Sequence, residues 1–290
     1  MKYAVITGAS TGIGFASASM FVENGFHVYG SVRSEEDADR LRKSLGPMFS
    51  PLLFDVTDHE AIQEASREVA NTMGSKDHLA ALVNNAGIAV NGPLEHLPID
   101  RIRQQFEVNI TGLMGVTQAF LPLLKPRDGR PSGRIINIGS ISGIIASPFT
   151  GAYAASKHAL EGLTDALRRE LLVYDIPVVL IQPGPIRTEI WRKARESENP
   201  WIDTAYGPIL KNRDRVIDRT EESALPVERV ASVVYQSAVA RKPRLRYLID
   251  RSPWRIRMAQ LMPASWIDRM VRKTLTSHLS GTSSSWRGWR

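Results

Sequence analysis

The chain has no cysteine among its 290 residues. This absence excludes disulfide bonds, a thiol nucleophile and any metal site with cysteine ligands. The six histidines are scattered, and none lies at metal-ligand spacing from another histidine or a well-placed carboxylate, so we expect no metal. A chain of this length can bury a substantial core as one α/β domain without cross-links.

Long apolar runs are absent as well. No stretch reaches the roughly 18 consecutive apolar residues that suggest a membrane-spanning helix. The apolar run at residues 3–6 is too short for the core of a signal peptide and leads into a glycine-rich turn. We therefore expect a cytoplasmic protein.

Basic residues are concentrated near the C-terminal end. Residues 241–290 carry 12 Lys and Arg against 2 Asp and Glu, whereas residues 1–240 carry 25 basic and 28 acidic side chains. The net charge of +7 therefore belongs to the C-terminal segment. This distribution argues against a nucleic-acid-binding protein, and we expect no nucleic-acid partner.

Short apolar runs alternate with helical patterns through most of the chain. The runs are apolar at consecutive positions, as in strands buried on both faces of a parallel sheet. They cover residues 3–7, 27–32, 51–55, 80–84, 134–139, 178–182 and 246–249. Helices are predicted at residues 14–24, 35–45, 59–72, 101–124 and 153–174. The alternation predicts one α/β domain over residues 1–250, a Rossmann-type doubly wound parallel sheet with helices on both faces.

Residues 183–227 interrupt this rhythm, and residues 189–225 are predicted to form a substrate-binding loop. Apolar and aromatic walls are typical of ligand pockets. The candidate substrate contacts are Ile190, Trp191, Trp201 and Tyr206. They indicate a bulky, apolar ketone or alcohol of steroid, retinoid or lipid type. The alternative is that these side chains only pack the loop onto the sheet.

Residues 251–276 have the apolar spacing of two short amphipathic helices, separated at Pro263. We predict that they form a lid whose apolar stripes seal the substrate pocket. The alternative is that their basic face contacts an anionic membrane surface, which would make the protein peripheral to a membrane. Residues 277–290 are rich in Ser, Thr and Gly, and are predicted to be a disordered tail.

A glycine-rich turn follows the first predicted strand and opens the first predicted helix. Gly8 allows the tight turn, Gly12 lets the backbone approach a pyrophosphate, and Gly14 lets the helix pack close to the strand. A dinucleotide is therefore expected at the helix N-terminus, with Ser10, Thr11 and Ile13 around it. The glycine spacing differs from the common G-x-G-x-x-G fingerprint. The alternative is a plain strand-to-helix turn.

Arg33 ends the second predicted strand, where a dinucleotide-binding protein places its ribose contact. A guanidinium there suits the 2′-phosphate of NADP(H). Glu35, Glu36 and Asp37 come slightly later, and we assign them to the first turn of a helix, where the helix dipole favours acids. We therefore favour NADP(H) as the cofactor, with NAD(H) as the alternative.

Ser140, Tyr153 and Lys157 form the candidate catalytic set. Tyr153 and Lys157 are four residues apart, so they share one face of a helix. A cation there would lower the pKa of the tyrosine toward neutrality and make it a proton carrier. Ser140 follows a predicted strand at the edge where ligands bind, and its hydroxyl could hold the substrate oxygen.

Taken together, the motifs resemble the short-chain dehydrogenase/reductase family over residues 1–190, in the family's order and spacing. The segments that carry the resemblance are residues 7–14, 55–56, 84–87, 108–112, 139–143, 153–157 and 183–188. The C-terminal third resembles the hydroxysteroid and retinol dehydrogenase branch, through residues 242–247 and the long segment after Thr188.

The resemblance implies an oxidoreductase with a catalytic tetrad of Asn109, Ser140, Tyr153 and Lys157. Tyr153 would be the acid/base, Ser140 would orient the carbonyl, Lys157 would lower the pKa of Tyr153 and bind the ribose, and Asn109 would hold a water of the proton relay. The same resemblance implies cofactor contacts at Asp55, Val56, Asn85, Ala86, Gly87, Pro183, Gly184, Ile186 and Thr188.

Two other functions fit the same fold. A non-catalytic dinucleotide-sensing regulator would bind the cofactor, but it would not need Tyr153 and Lys157 together. A nucleotide-sugar epimerase usually has another glycine spacing and a larger C-terminal domain. We further expect a homodimer or homotetramer, because two predicted helices are apolar over more than one face. The residues concerned are Leu113, Met114, Val116, Leu163, Leu167 and Leu171.

Overall fold

A parallel sheet of seven strands forms the centre of the computed structural model, which describes residues 1–74, 77–127, 129–196 and 199–276. The spatial order is β3-β2-β1-β4-β5-β6-β7, and every neighbouring pair is parallel. The strands are β1 (Lys2–Ile6), β2 (Phe26–Val32), β3 (Phe49–Leu53), β4 (His78–Asn84), β5 (Arg134–Ile138), β6 (Val178–Pro183) and β7 (Arg246–Ile249). The predicted Rossmann-type fold is confirmed.

The helices connect the strands and continue beyond them. They are α1 (Gly12–Glu23), α2 (Glu35–Leu45), α3 (His59–Thr72), α4 (Ile99–Phe106), α5 (Leu113–Leu124), α6 (Gly151–Glu170), α7 (Ile190–Glu196), α8 (Gly207–Leu210), α9 (Arg213–Ser223), α10 (Val227–Val239), α11 (Pro253–Leu261) and α12 (Ala264–Thr276). The single helix predicted over residues 101–124 is instead α4 and α5 joined by a π-helical turn at Glu107–Gly112. Such turns are frequent at functional sites.

The sheet buries both of its faces, which explains the continuous apolar runs of its strands. Along β1, Ala4 and Ile6 lie in a core formed with α1, α2 and α10, whereas Tyr3 and Val5 lie in a second core formed with α3, α5 and α6. Successive residues of a strand point to opposite faces, so a run without polar alternation can fill two cores.

The helices α5 and α6 bury most of the apolar residues that suggested a subunit interface. Leu113, Val116, Leu167 and Leu171 are all less than 9% exposed within a single chain. Met114 and Leu163 pack partly buried beside them. The apolar character of these helices is therefore explained by the core of one chain, and it no longer supports a prediction of oligomerisation.

The segment predicted as a substrate loop is largely helical. It contains α7, α8 and α9, and ion pairs join α7 to α9. Arg195 contacts Asp218 at 2.9 Å and Glu221 at 2.5 Å. After β7 come α11 and α12, which are interrupted around Pro263 as predicted. The proposed tail at residues 277–290 lies outside the described residues. In the part of the chain that the structure describes, no helix has the length and apolarity needed to cross a bilayer.

Candidate active site

A large cavity opens at the carboxyl ends of β1 and β4, where the strand order reverses. Open α/β sheets bind ligands at this switch point. The cavity has a volume of about 1820 Å³, above the range of about 300–1,000 Å³ for one small ligand, so it can hold a dinucleotide and a substrate together. The predicted site residues that line it are Gly8, Ser10, Thr11, Gly12, Ile13, Arg33, Asp55, Val56, Asn85, Ala86, Gly87, Thr188, Trp191 and Trp201.

The glycine turn is shaped for close approach of a phosphate. Gly8 and Gly12 have φ of +64° and +56°, in the left-handed region that favours glycine. A Cβ on Gly14 would overlap the Gly8 carbonyl oxygen and would lie 2.5 Å from Asn85 Nδ2. Thr11, at the N-cap of α1, makes no capping hydrogen bond. The first N–H groups of α1 therefore suit an anion, and the pyrophosphate of a dinucleotide fits this geometry.

Asn85 and Thr7 hold the glycine turn against the end of β4. The Asn85 side chain donates hydrogen bonds to the carbonyls of Thr7 and Gly8 at 2.9 and 3.0 Å. The Thr7 hydroxyl accepts from the backbone N–H groups of Asn85 and Ala86, each at 2.9 Å. Thr7 was not among the predicted contacts, although its position at the end of β1 was a usable signal. These bonds position the turn without contacting a ligand themselves.

Arg33 and Asp55 face each other at the end of the cavity where the adenosine half of a dinucleotide would lie. Arg33 Nη1 is 3.8 Å from Asp55 Oδ2, and both side chains are exposed to solvent. Asp55 is oriented by hydrogen bonds from the backbone N–H and the hydroxyl of Thr57, at 2.9 and 2.8 Å. The acids after Arg33 begin α2 as expected, with Ser34 as the N-cap.

Tyr153 and Ser140 meet at the carboxyl edge of β5. Burial raises the pKa of Tyr153, and a hydrogen bond with the Ser140 side chain opposes this shift by lowering it. The Ser140 oxygen also accepts from the N–H of Ser142 at 3.0 Å, which fixes its rotamer. Because its pKa is raised, the phenol keeps its proton at neutral pH, which is the form that can donate to a carbonyl.

Lys157 lies one turn further along α6 and is only 8% exposed. Its ammonium is 5.7 Å from the centre of the Tyr153 ring and donates to the Ile138 carbonyl at 2.8 Å. Burial lowers its pKa from 10.5 to about 8. In this structure the ammonium donates to a backbone oxygen, and the shift in the pKa of Tyr153 comes from burial and Ser140, so the expected effect of Lys157 on the pKa of Tyr153 stays a prediction.

Titration of Lys157 should make stability depend on pH. Between pH 8 and 10.5 the unfolded chain holds a proton on this amine that the folded chain has lost, so stability rises with pH. Relative to Lys157→Met, the free energy of unfolding of the parent should rise by on the order of 3 kcal/mol across this range. Denaturant unfolding at a series of pH values measures it, with the exposed Lys43→Met as the charge-matched reference. If the difference in unfolding free energy between the parent and Lys157→Met did not change with pH, the prediction would be wrong.

Asn109 lies in the π-helical turn and joins three parts of the site. Its Oδ1 accepts from the N–H of Ile88 at 2.9 Å, and its Nδ2 donates to the Ile88 carbonyl and to Ser156 Oγ, each at 3.1 Å. Ser156 in turn donates to the Tyr153 carbonyl at 2.7 Å. The extra residue of the π turn brings this amide inward, so Asn109 positions α6 as well as the segment after β4.

A buried polar chain that the sequence analysis missed runs beneath the catalytic residues. Asn84 Nδ2 donates to Thr117 Oγ1 and to Asn137 Oδ1, each at 2.9 Å, and Asn137 donates to Thr164 Oγ1 at 3.0 Å. These hydrogen bonds link α5, β4, β5 and α6, so they fix the helix that carries Tyr153 against the sheet. Asn84 and Asn137 are paired across two strands, a relation that only the sheet register reveals.

The segment after β6 contacts the glycine turn from the other side. The Thr188 methyl would be 3.3 Å from a Cβ on Gly12. Ile186 is buried in the core, and Pro183 ends β6. A Cβ on Gly184 would overlap the Asp250 carboxylate. Of the four predicted contacts here, Thr188 therefore reaches the cavity, whereas the others shape the segment behind it.

The predicted substrate residues divide into two groups. Trp191 and Trp201 line the cavity, and Trp191 is oriented by a hydrogen bond from its indole N–H to the Ile186 carbonyl at 2.7 Å. Tyr206 donates a hydrogen bond from its hydroxyl to Glu95 at 2.9 Å, and its ring packs edge-on against Phe149, which lines the cavity. The backbone of Ile190 begins α7, and its side chain lies outside the described part of the structure.

The helix α12 forms one wall of the cavity, and the residues that line it are Met270, Val271, Thr274 and Leu275. The apolar stripe predicted on α11 faces solvent and does not line the cavity. Trp254, Met258 and Leu261 are more than half exposed. The prediction that both apolar stripes seal the pocket is therefore wrong for α11, whose partly buried side contains Ile256 and Ala259.

Comparison with known proteins agrees with this geometry. A family model described as short chain dehydrogenase matches residues 2–199. An NADPH-dependent 3-dehydrocapnine reductase from Ornithobacterium rhinotracheale is 43% identical over 277 residues, which cover 95% of this chain and 98% of that protein. A 3-amino-tetrahydro-pyrrolizinone reductase from Xenorhabdus hominickii is 40% identical over 74% of this chain and 72% of its own length. A short-chain dehydrogenase structure from Streptomyces avermitilis superposes with a TM-score of 0.74 at 26% identity, covering 98% of both chains.

Proposed function

The chain belongs to the short-chain dehydrogenase/reductase family and is an oxidoreductase, and from this premise we propose that it interconverts a carbonyl and an alcohol on an apolar substrate with NADP(H). The observation that carries the proposal is that Ser140, Tyr153 and the buried Lys157 converge after β5: Ser140 lowers the pKa of Tyr153, and the Lys157 ammonium lies 5.7 Å from the Tyr153 ring. All three belong to segments that meet at the carboxyl edge of β5, which is separated by β4 from the strand that ends in the glycine turn.

The chemistry divides between the cofactor and the side chains. Nicotinamide supplies or accepts the hydride when it is bound. Ser140 donates a hydrogen bond to the carbonyl oxygen, and Tyr153 donates its proton to the same oxygen. Lys157 binds the ribose, and Asn109 keeps α6 in place through Ser156. In the direction of alcohol oxidation, the phenolate form of Tyr153 would accept the proton from the alcohol.

The glycine turn and Arg33 support NADP(H) as the cofactor. Arg33 has an exposed guanidinium that lines the cavity near Asp55 and can form a bidentate contact with a 2′-phosphate. The relative with 43% identity is named as NADPH-dependent. The carboxylate of Asp55 lies 3.8 Å from this guanidinium, and both side chains are exposed.

Replacing Arg33 should change cofactor preference more than activity. Arg33→Ala should raise the KM for NADPH by about 10- to 100-fold, because one charge-assisted hydrogen-bonded contact is worth about 1.5–3 kcal/mol, and should leave the KM for NADH nearly unchanged. Initial rates at varied cofactor concentration measure both constants. The matched control is Arg42→Ala, an exposed arginine on α2 that pairs with Asp39. Equal effects of Arg33→Ala on both cofactors would show that Arg33 does not contact the 2′-phosphate.

The wall of the substrate half of the cavity supports an apolar substrate. Its large side chains are mostly aliphatic or aromatic, and they come from the segments before α4 and α6, from α7 to α9, and from α12. They include Val90, Leu97, Phe149, Trp191, Trp201, Ile209, Leu210, Val216, Ile217, Met270, Val271 and Leu275. Burial of a long hydrocarbon or a fused-ring skeleton against this wall would supply most of the binding free energy.

Turnover on a matched substrate panel tests the proposal. Oxidation of NADPH should be fast with long-chain and polycyclic ketones, and slow with small charged keto acids. Each methylene group that is buried contributes about 0.8 kcal/mol, so kcat/KM should rise by about fourfold per added methylene until the cavity is filled. A preference for small charged keto acids would overturn the substrate assignment, and no turnover with any carbonyl or alcohol would overturn the reaction.

A further inference from the structure

The helix α11 presents an apolar stripe to solvent. Trp254, Met258 and Leu261 are 62, 55 and 86% exposed, and they follow the i, i+4, i+7 spacing of one helix face. The partly buried residues on the opposite side are Ile256 and Ala259. This helix therefore has apolar residues on both sides, and the larger ones are uncovered. Contiguous exposed apolar surface of this kind marks an interaction site.

The helix α12 repeats the arrangement. Ile267, Val271 and Leu275 are its partly buried residues, and two of them line the cavity. Trp266 and Met270 are 56 and 54% exposed. The two helices together leave two tryptophans, two methionines and a leucine in contact with solvent, within the segment where the positive charge of the chain is concentrated.

Cationic side chains accompany both stripes. On α11, Arg255 and Arg257 lie on either side of the stripe by helical spacing. On α12, Arg269 and Lys273 lie next to Trp266 on the helical wheel, and both are exposed. Residues 251–276 contain a single acidic residue, Asp268. An occupant of this surface must therefore accept apolar side chains and supply negative charge.

We propose that this C-terminal surface, formed by Trp254, Arg255, Arg257, Met258, Leu261, Trp266, Arg269, Met270 and Lys273, docks on an anionic lipid bilayer. Tryptophan rings partition to the boundary between headgroups and acyl chains. Arginine and lysine extend their aliphatic stems along apolar surface while their charged ends reach the phosphates. The helix α12, whose apolar and charged residues lie on different faces, is of the amphipathic kind that lies in the plane of the interface.

Two other occupants fit the surface less well. A second copy that used the same face around a two-fold axis would set this basic surface against itself, with like charges opposed. The segment at residues 277–290 has no Asp or Glu and could not neutralise the arginines. A bilayer that contains anionic lipid satisfies both the apolar and the charged requirement.

Docking would place the wall of the cavity at the membrane. On α12, Val271 and Leu275 line the cavity, Met270 both lines the cavity and is 54% exposed, and Trp266 belongs to the C-terminal surface alone. An apolar substrate dissolved in the bilayer could then reach the cavity without crossing water. This consequence, unlike the docking itself, rests on the proposed function.

Sedimentation with vesicles tests the docking directly. The full chain should pellet with vesicles made of phosphatidylglycerol and phosphatidylcholine in equal parts, remain in solution with phosphatidylcholine alone, and be released by high salt. Each basic residue near an anionic surface strengthens binding about fivefold, so Arg255→Gln with Arg257→Gln should weaken binding by about 25-fold. The matched control is Arg42→Gln with Lys43→Gln on α2, which removes the same charge and should bind as the parent does.

Trp254→Ala separates docking from self-association. This variant should bind vesicles more weakly, while its melting temperature and its turnover of a small water-soluble ketone stay at the parent values. Three results would overturn the proposal. The protein could sediment equally with both kinds of vesicle, or the arginine pair and its control could lose vesicle binding equally. Light scattering could also show a dimer that Trp254→Ala abolishes. Vesicle binding is measured without turnover, so failure of the proposed function would leave this result intact.

Discussion

Tyr153→Phe should reduce kcat by about 10²- to 10⁴-fold, the range that general acid–base catalysis contributes. The substitution removes only the hydroxyl that meets Ser140 and leaves the ring beside the Lys157 ammonium. The backbone carbonyl of Tyr153 still accepts from Ser156, so α6 keeps its position. NADPH binding, measured by fluorescence titration, should therefore stay close to that of the parent.

The control for this substitution is Tyr247→Phe. Tyr247 lies on β7, and its hydroxyl accepts a hydrogen bond from the N–H of Arg244 at 3.0 Å, away from the lining of the cavity. The Tyr247→Phe variant therefore also loses a hydrogen-bonded phenol hydroxyl, and it should retain the full kcat of the parent. If Tyr153→Phe turned over as fast as the parent, Tyr153 could not be the proton donor. If both variants lost activity equally, the loss would reflect the fold and not proton transfer.

Gly14→Ala should abolish NADPH binding and lower the free energy of unfolding. The added methyl group would overlap the Gly8 carbonyl oxygen and the Asn85 amide, which are backbone and a hydrogen-bonded side chain that cannot swing away. Forcing a methyl group into a packed site typically costs about 1–3 kcal/mol. Relief of the overlap requires the glycine turn to open, so the phosphate-binding geometry is lost as well.

The matched control is Gly162→Ala on α6. A Cβ there meets nothing within 4 Å. Alanine in a helix is favoured over glycine by roughly 0.5–1 kcal/mol, so this variant should melt at a slightly higher temperature and bind NADPH normally. Calorimetry and cofactor titration measure both variants. Parent-like cofactor binding in Gly14→Ala would contradict the assignment of the glycine turn to the pyrophosphate.

Local signals were sufficient for the fold and for the order of the site segments. The predicted bounds of α2 and α3 agree with the structure, because each begins at a side-chain cap, Ser34 or Asp58, that the sequence displays. The strands were predictable because continuous apolar runs of four to seven residues suit a sheet covered on both faces. The motif order then assigned Tyr153 and Lys157 to one helix face.

Other features depend on contacts between residues far apart in the chain. Asn109 reaches Ile88 and Ser156 through a π turn that no local pattern indicates. The helices α7 to α9 lie in a segment predicted as a loop, and ion pairs such as Arg195 with Asp218 join α7 to α9. Such contacts form only when the sheet has brought the segments to one edge.

Short-range periodicity and local motifs are enough to predict the doubly wound sheet, the glycine turn and the Ser140, Tyr153 and Lys157 set. The side of α11 that faces solvent depends instead on how the helix packs in the folded chain. An apolar stripe indicates that one side of a helix will be covered, but it does not show what covers it. On α11, both the side with Ile256 and the side with Trp254 carry apolar residues, and either could pack against the protein. In the folded chain the Ile256 side of α11 is partly buried, whereas Trp254 and Trp266 are more than half exposed.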